Sequence, residues 1–468
     1  MVELRRGRSS RRLIRRTLSE LRQQPTRTAR GLLCCLACLL IAGCASQRPS
    51  IDAARNAFAA GDLATARSQL AAITAAGDRY STAGSLDLAM VELAGGDHLA
   101  AQQRLRQLRD HFDALPKLAP ISEAAAIATD DTVRVFRPAG YEEVMTRTML
   151  ALCSLAGDGS DAESYSLQAI MKQNELATVA DQRGIAGAAR LYQPIAIAPY
   201  LRGVIREATH HDYDDAAKAY QLVSSVRPDF APAAADIQRA SIGTHSAPGH
   251  GVLYVFACVG RGPELWETTA PTTSTALTIA SAAIQSDQND GTAPTLPNIA
   301  SVKIPTVVIP PSRIAAVDVR INGQLYGTTQ TLTDVGELAA NQVAAEMPWT
   351  IARAVVRRVT KEATVSKVAN SLGIQGTASS LFRFAAASAW SGSENADTRC
   401  WGLLPREIQV LRAELPAGTH TVNLAAVGTQ GEAYADHQRT VDIIDGRNHY
   451  LITIAPDQAI YVIGMNNQ

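Results

Sequence analysis

Gly61-Asp62-Leu63-Ala64-Thr65-Ala66 and Gly96-Asp97-His98-Leu99-Ala100-Ala101 stand 35 residues apart and share the pattern Gly-Asp-x3-Ala. Gly157-Asp158-x3-Ala162 repeats it, and His211-Asp212-x3-Ala216 is a variant. Each copy separates two apolar runs of helical period, as Leu86 to Leu93 before Gly96 and Leu99 to Leu108 after it. Glycine can close the first helix in the left-handed conformation. Aspartate can accept from the free N–H groups that open the second helix, and the small alanine lets the two approach closely. The pattern predicts helical hairpins.

A recurring hairpin of this kind resembles the tetratricopeptide repeat. In the last copy Tyr200, Ala216, Tyr220 and Pro228 fall at that repeat's aromatic, A-x3-F and terminal-proline positions. The intervals from 96 to 157 and from 157 to 211 exceed the period of about 34 residues, so Asp113 to Gly140 and Asn174 to Gln193 are expected to be inserts or degenerate helices. An irregular α-solenoid is the expectation for residues 50–242. Its concave face would take an extended or helical segment of a protein partner. The candidate groove residues are Tyr141, Glu142, Arg147, Tyr200 and Arg202. The alternative is that the tyrosines pack between repeats and the charges form a solvated face.

Ser246 to Gly251 (Ser-Ala-Pro-Gly-His-Gly) punctuates the chain, and the hydrophobic period then changes from helical to alternating. Gly251 to Gly260 reads as a buried strand, and Trp266 to Pro305 as loop with one helix near Ala276 to Gln285. Ala316 to Ile321 and Gln324 to Thr328 form a hairpin about Asn322-Gly323. Asp334 caps a helix to Met347, and Pro348 starts a second that continues from Trp349 to Asn370. Along it Arg353, Arg357 and Lys361 make a basic stripe, either a docking surface or a solvated face. Ser380 to Trp390 reads as a third helix. Five strands follow: Glu407 to Glu414, His420 to Val427, Gln438 to Ile444, His449 to Ala455 and Ile460 to Gly464. The expected chain is therefore multidomain: a leader over 1–43, an all-α tetratricopeptide-like solenoid over 44–247, and an α+β domain with a small antiparallel sheet or sandwich over 248–468.

The leader has its own chemistry. Residues 1–30 carry ten arginines and run into the apolar stretch Gly31 to Gly43. As a helix those 13 residues reach about 20 Å, short of the roughly 30 Å hydrocarbon core of a bilayer. Ile41-Ala42-Gly43-Cys44 resembles the lipobox of bacterial lipoproteins, which implies cleavage between Gly43 and Cys44 and acylation of the Cys44 thiol. Two or three acyl chains anchor a protein stably without a span. Ala45, and no aspartate, follows the cysteine, so the resemblance favours the outer membrane, periplasmic side. The long n-region leaves open a misassigned start or twin-arginine export, for which Ser10-Arg11-Arg12-Leu13-Ile14 is a partial match.

Lysine plus arginine equals aspartate plus glutamate at 44 each, but ten of the bases and only two of the acids lie in the first 43 residues. The remainder carries a net charge of −8, which argues against a nucleic-acid partner. Beyond Cys44 three cysteines remain, Cys153, Cys258 and Cys400. Cys153 lies in an apolar helical run; Cys258 and Cys400 could pair as a disulfide or stay separate buried thiols. No nucleophile elbow, zinc helix or phosphate-binding loop occurs, and no metal or other cofactor is expected. Gly260-Arg261-Gly262 lacks the third glycine of a dinucleotide fingerprint, because Leu265 stands there. His210-His211-Asp212 has no partner cluster for a metal and reads as a solvated corner, and His245 and His250 only flank the change of period.

Gly140-Tyr141-Glu142 through Gln173, Pro348 to Lys361, and Asp397-Thr398-Arg399-Cys400-Trp401-x-x-Leu404-Pro405-x-Glu407-Ile408 to His420 together look like one group. They are similar to a family of uncharacterised bacterial lipoproteins with N-terminal tetratricopeptide-like repeats, whose genes tend to lie near lipoprotein activators of penicillin-binding proteins. That resemblance implies a role in envelope or peptidoglycan biogenesis and transfers no catalytic residue. Asp397, Arg399 and Trp401 alternate, so on a strand they would share one face, as a buried ion pair with an aromatic lid or as a ligand contact. The expected function is a non-enzymatic, lipid-anchored periplasmic scaffold for an envelope protein partner. A module binding cell-wall glycan or exported polysaccharide, with direct peptidoglycan contact, is the alternative, and a cryptic envelope hydrolase the third.

Overall fold

The computed structural model describes residues 47–115, 136–182, 192, 194–287, 301–371 and 395–464. Among the described residues nine helices come first: α1 (Gln47–Ala59), α2 (Leu63–Ala75), α3 (Ser81–Ala94), α4 (His98–Ala114), α5 (Gly140–Ala156), α6 (Ala162–Gln182), α7 (Ile197–Glu207), α8 (Tyr213–Val226) and α9 (Pro232–Ser241). From α2 to α6, and from α6 to α9, each helix packs on its neighbours in the chain.

The first two corners form as the sequence requires. Gly61 and Gly96 take φ of +92° and +86°, and Asp62 and Asp97 accept from Thr65 N at 3.0 Å and Ala100 N at 3.1 Å. The third differs because Gly159, not Gly157, adopts the left-handed conformation, at φ +74°, so Asp158 serves the turn by accepting from Ser160 N. At the fourth corner His210 holds φ +61° where the other corners use glycine, and Asp212 pairs with Arg206 instead of capping.

The change of period at 246–251 is the change from helix to strand. The strands are β1 (His250–Arg261), β2 (Glu264–Pro271), β3 (Ser301–Val308), β4 (Ala316–Ile321), β5 (Gln324–Thr328), β6 (Gln330–Asp334), β7 (Pro405–Pro416), β8 (Gly418–Val427), β9 (Ala433–Ile443), β10 (Asn448–Ala455) and β11 (Tyr461–Gly464). Helix α10 (Ser274–Asp287) separates β2 from β3, and α11 (Val335–Ser371) separates β6 from β7. One sheet runs β11-β10-β1-β7-β6, a second β5-β4-β8-β9, and β2 pairs with β3 alone. Among the described residues all pairings are antiparallel except β1 with β10, which is parallel in the register Val252↔Asn448 to Val259↔Ala455.

β1 decides how the layers stack. Its interior residues are buried on both faces, so it reads as a continuous apolar run. Val252, Tyr254, Phe256 and Cys258 join the core of the helices, with Ile408, Val410, Ile452 and Ile454 beside them. Leu253, Val255, Ala257 and Val259 join a second core with Val317, Val319, Val422 and Leu424 of the other sheet. The order is helices, five-stranded sheet, four-stranded sheet. The helical and sheet-rich regions expected as separate domains thus share one core, and the described residues from Ile51 onward form one compact unit.

Three sequence expectations need correction. Residues 264–271 and 301–308 are strands, not loop; the first is largely exposed beyond Leu265, and in the second only Val302 and Ile304 alternate as buried positions, too short a run to read. The helix break at Pro348 does not occur, since α11 runs through it with one half packed on α5 and the other on α10 and β3. Arg357 of the basic stripe is buried and Arg353 half-buried, so at Arg357 the stripe offers neither a docking surface nor a solvated face. Gly43, Cys44 and the helix expected over Ser380 to Trp390 lie outside the described residues, and the Lys361 side chain does too.

Candidate functional site

A group of buried charges lies where the segment 395–404 passes between α1, α3 and α5. Asp87 is the one charge in the apolar run Leu86 to Met90 of α3, and Arg55 sits among Ile51, Ala54 and Phe58 of α1. Arg55 is 4% exposed, Asp87 0% and Glu142 1%. Charges so deep need partners. Arg55 Nε donates to Asp87 Oδ2 at 2.7 Å, and its Nη2 donates to the Cys400 carbonyl at 2.6 Å. Asp87 Oδ1 accepts from Leu403 N at 2.9 Å. Glu142 Oε1 accepts from Trp401 N at 2.6 Å, while its Oε2 accepts from Ala139 N at 2.8 Å at the start of α5. Three helices thus supply, through charged side chains, the partners that the irregular backbone of 400–403 lacks.

Glycine makes the close approach possible. A Cβ on Gly402 would stand 2.3 Å from Arg55 Cζ, and one on Gly262 would stand 2.0 Å from the Leu404 carbonyl oxygen. Gly260-Arg261-Gly262 is therefore a turn shaped by the neighbouring chain. Beside it, at the carboxyl ends of the parallel strands β1 and β10, lies a cavity of about 20 Å³ lined by Arg55, Phe58, Cys258, Gly260, Gly402 and Ile454 among others. That volume holds about one water.

Electrostatics follow from burial. Desolvation pushes the Glu142 carboxyl up to about 7, against the two backbone N–H donors and Arg55 that pull it down. Burial likewise raises the Asp87 carboxyl, with Arg55 opposing. For Arg55 burial works to lower the pKa, but Asp87 and its hydrogen bond outweigh it, and the net shift is upward. Burial pushes the Cys400 thiol up to about 12, although Arg55 Nη1 lies 3.9 Å from its sulfur. A thiol so shifted is a poor nucleophile. The Glu142 carboxyl oxygens are both occupied by backbone donors. The arrangement is suited to holding a loop.

Each expected site residue has a definite place. Tyr141 and Tyr200 are buried, Tyr200 against Tyr220, Phe230 and Phe256, so neither lines a groove. Glu142 belongs to the cluster above, and buried Arg147 donates to both oxygens of Asp113 at 2.6 and 2.7 Å. Arg202 is half-buried between Glu163 and Asp215. The groove expectation fails at these positions because the first helix of each hairpin faces the sheet. Arg399 pairs with Asp397 at 2.6 Å, donates to the Arg79 carbonyl and lies over the Phe136 ring. Trp401 is wholly buried and is part of the core, not a lid. This is the ion-pair reading of Asp397, Arg399 and Trp401, on irregular chain instead of a strand. Cys153, Cys258 and Cys400 are free thiols, so the Cys258–Cys400 bridge does not form. Cys258 faces the helices near Cys153, and Cys400 faces Arg55.

Among the described residues no group of three or more His, Cys, Asp and Glu is placed to hold a metal ion, and no helix is long and apolar enough to cross a membrane. No family model matches the chain, and no curated protein or solved structure matches it.

Proposed function

We propose that the chain is a lipid-anchored protein of the bacterial envelope that acts by holding a protein partner, without catalysis of its own. The observation that carries this is the Arg-rich n-region, the short apolar stretch and Ile41-Ala42-Gly43-Cys44 at its end. The anchor would be acyl chains on Cys44, on the periplasmic side of the outer membrane, with envelope or peptidoglycan biogenesis as the setting. In this reading the helices are a tetratricopeptide-like stack, supported by the aspartate caps at Asp62 and Asp97. With Tyr141, Glu142, Arg147 and Tyr200 buried, the partner surface moves outward. Leu167, Met171 and Val179 are exposed on α6 at spacings of four and eight residues, which puts them on one face.

Two experiments test this. Metabolic labelling with an alkyne fatty acid should mark the wild type and not Cys44→Ser. Crosslinking in intact cells should give a reproducible partner that is lost on Leu167→Glu with Met171→Glu. A wild type without label, or a partner profile unchanged by those substitutions, would overturn the corresponding half of the proposal. Saturable sedimentation with purified peptidoglycan, in place of a protein partner, would favour glycan binding.

A further inference from the structure

The turn that joins β9 to β10, residues 444–448, is gripped by histidine side chains from three directions. His210, on the α7–α8 corner, places Nε2 2.7 Å from the Gly446 carbonyl, so that nitrogen carries the proton. His245, buried in the α9–β1 connection, places Nε2 2.7 Å from Asn448 Oδ1. Asn448 spends its amide on the Val204 carbonyl and the Tyr450 hydroxyl, which fixes Oδ1 as the acceptor. His449 accepts from Ile444 N through Nε2 at 2.9 Å, which only an uncharged ring can do. The chain has nine histidines, and a third of them act on five residues.

The clamp also carries strain and crowding. His210 holds φ +61°, and its ring lies 4.8 Å from that of His245, centroid to centroid. Two rings this close resist taking two charges. We propose that His449 and His245 make this turn an acid-opened latch: uncharged His449 accepts from Ile444 N and closes the turn, and as the two rings take up protons that bond is lost and a charge on His245 comes to stand against the crowded His210 ring. Protonated His449 can no longer accept from Ile444 N. A charged His245 stands against the His210 ring and the Arg412 guanidinium.

The surroundings favour the uncharged state. Burial lowers the pKa of both His245 and His449; for His245 the Asn448 bond and Glu207 oppose this while His210 and Arg412 add to it, and for His449 Asp442 opposes it. The other charged or titratable groups facing the clamp are Asp212 and Tyr213 from the helices, Arg239 and Asp236 behind Glu207, Glu414 and Tyr450 from the sheet, His250 at the start of β1, and Asp445 and Arg447 in the turn. Glutamine can reproduce the uncharged bonds, donating to Asn448 or accepting from Ile444 N, without taking a proton.

The test is amide hydrogen exchange on the full chain carrying Cys44→Ser, at about pH 7.5 and about pH 5.5, with rates corrected for intrinsic chemistry. Peptides covering 442–450 should lose protection about tenfold on acidification, while 252–258 of β1 does not change. In His245→Gln with His449→Gln the loss should disappear. Unchanged protection in the wild type, or a loss that persists in the glutamine variant, overturns the proposal. Should the double variant not fold, His449→Gln alone must abolish the loss at 442–450.

Discussion

Replacing Arg55 by methionine removes the cation while roughly keeping the side-chain volume. Asp87, inaccessible to solvent, is left with an uncompensated charge, and the Cys400 carbonyl loses its donor at 2.6 Å. Removing one member of a buried ion pair costs about 3–5 kcal/mol. The informative variant is the double one, Arg55→Met with Asp87→Leu. For an ordinary buried pair such an apolar replacement is close to neutral. Here both side chains also serve the loop, so Leu403 N–H and Cys400 C=O are orphaned together. A buried unsatisfied group costs about 1–3 kcal/mol, so the double variant should remain about 2–6 kcal/mol below the wild type. Urea denaturation followed by tryptophan fluorescence measures this from the midpoint at constant slope, with Trp401 as a reporter inside the cluster. A double variant with the wild-type midpoint would refute the idea that the charges exist to hold the loop.

Glu142 gives a pH signature of opposite sign to the histidines. Its carboxyl is raised from 4.5 to about 7, so its stabilising contribution is present below about pH 4.5 and lost as pH rises through about 7. Glu142→Gln cannot titrate, and the stability difference between wild type and variant should change by about 3 kcal/mol across that window in paired thermal melts; a constant difference would contradict the shift. Gly262→Ala sets a Cβ 2.0 Å from the Leu404 carbonyl oxygen and should cost at least about 1–3 kcal/mol, read as a lower unfolding midpoint. An unchanged midpoint would mean that the two chains can spread freely. Cys153, Cys258 and Cys400 should resist maleimide in the native protein and react after denaturation, as mapped by mass spectrometry; labelling of native Cys400 would contradict its burial.

Local signals in the sequence carried well. Gly-Asp-x3-Ala located the helix corners at 61 and 96, and Asn322-Gly323 located a turn with φ of +52° and +85° that suits a tight hairpin. The five C-terminal strands also fall where alternation placed them. Pairings across long stretches of chain did not carry. The parallel match of β1 with β10 joins segments some two hundred residues apart, and periodicity says nothing of it. Tyr141 and Tyr200 look like surface aromatics on a repeat only if nothing covers the helices; the five-stranded sheet covers them. Asp87 was the available clue to the buried cluster, a lone charge inside an apolar run. Its partner Arg55 lies 32 residues away and the carbonyl they secure 345 residues from Arg55, distances over which residue type alone gives no address.

That separation of 345 residues sets an order of events in assembly. The helices emerge first, yet the backbone groups that satisfy Arg55, Asp87 and Glu142 belong to residues 400–403 and come last but for the final strands. Contacts so distant along the chain are slow to close. Until they close, three charges face a half-built core and the apolar side of α1, α3 and α5 has no sheet against it, a state prone to association. Completion of the fold is therefore postponed until residues 400–403 and the strands beyond them are present.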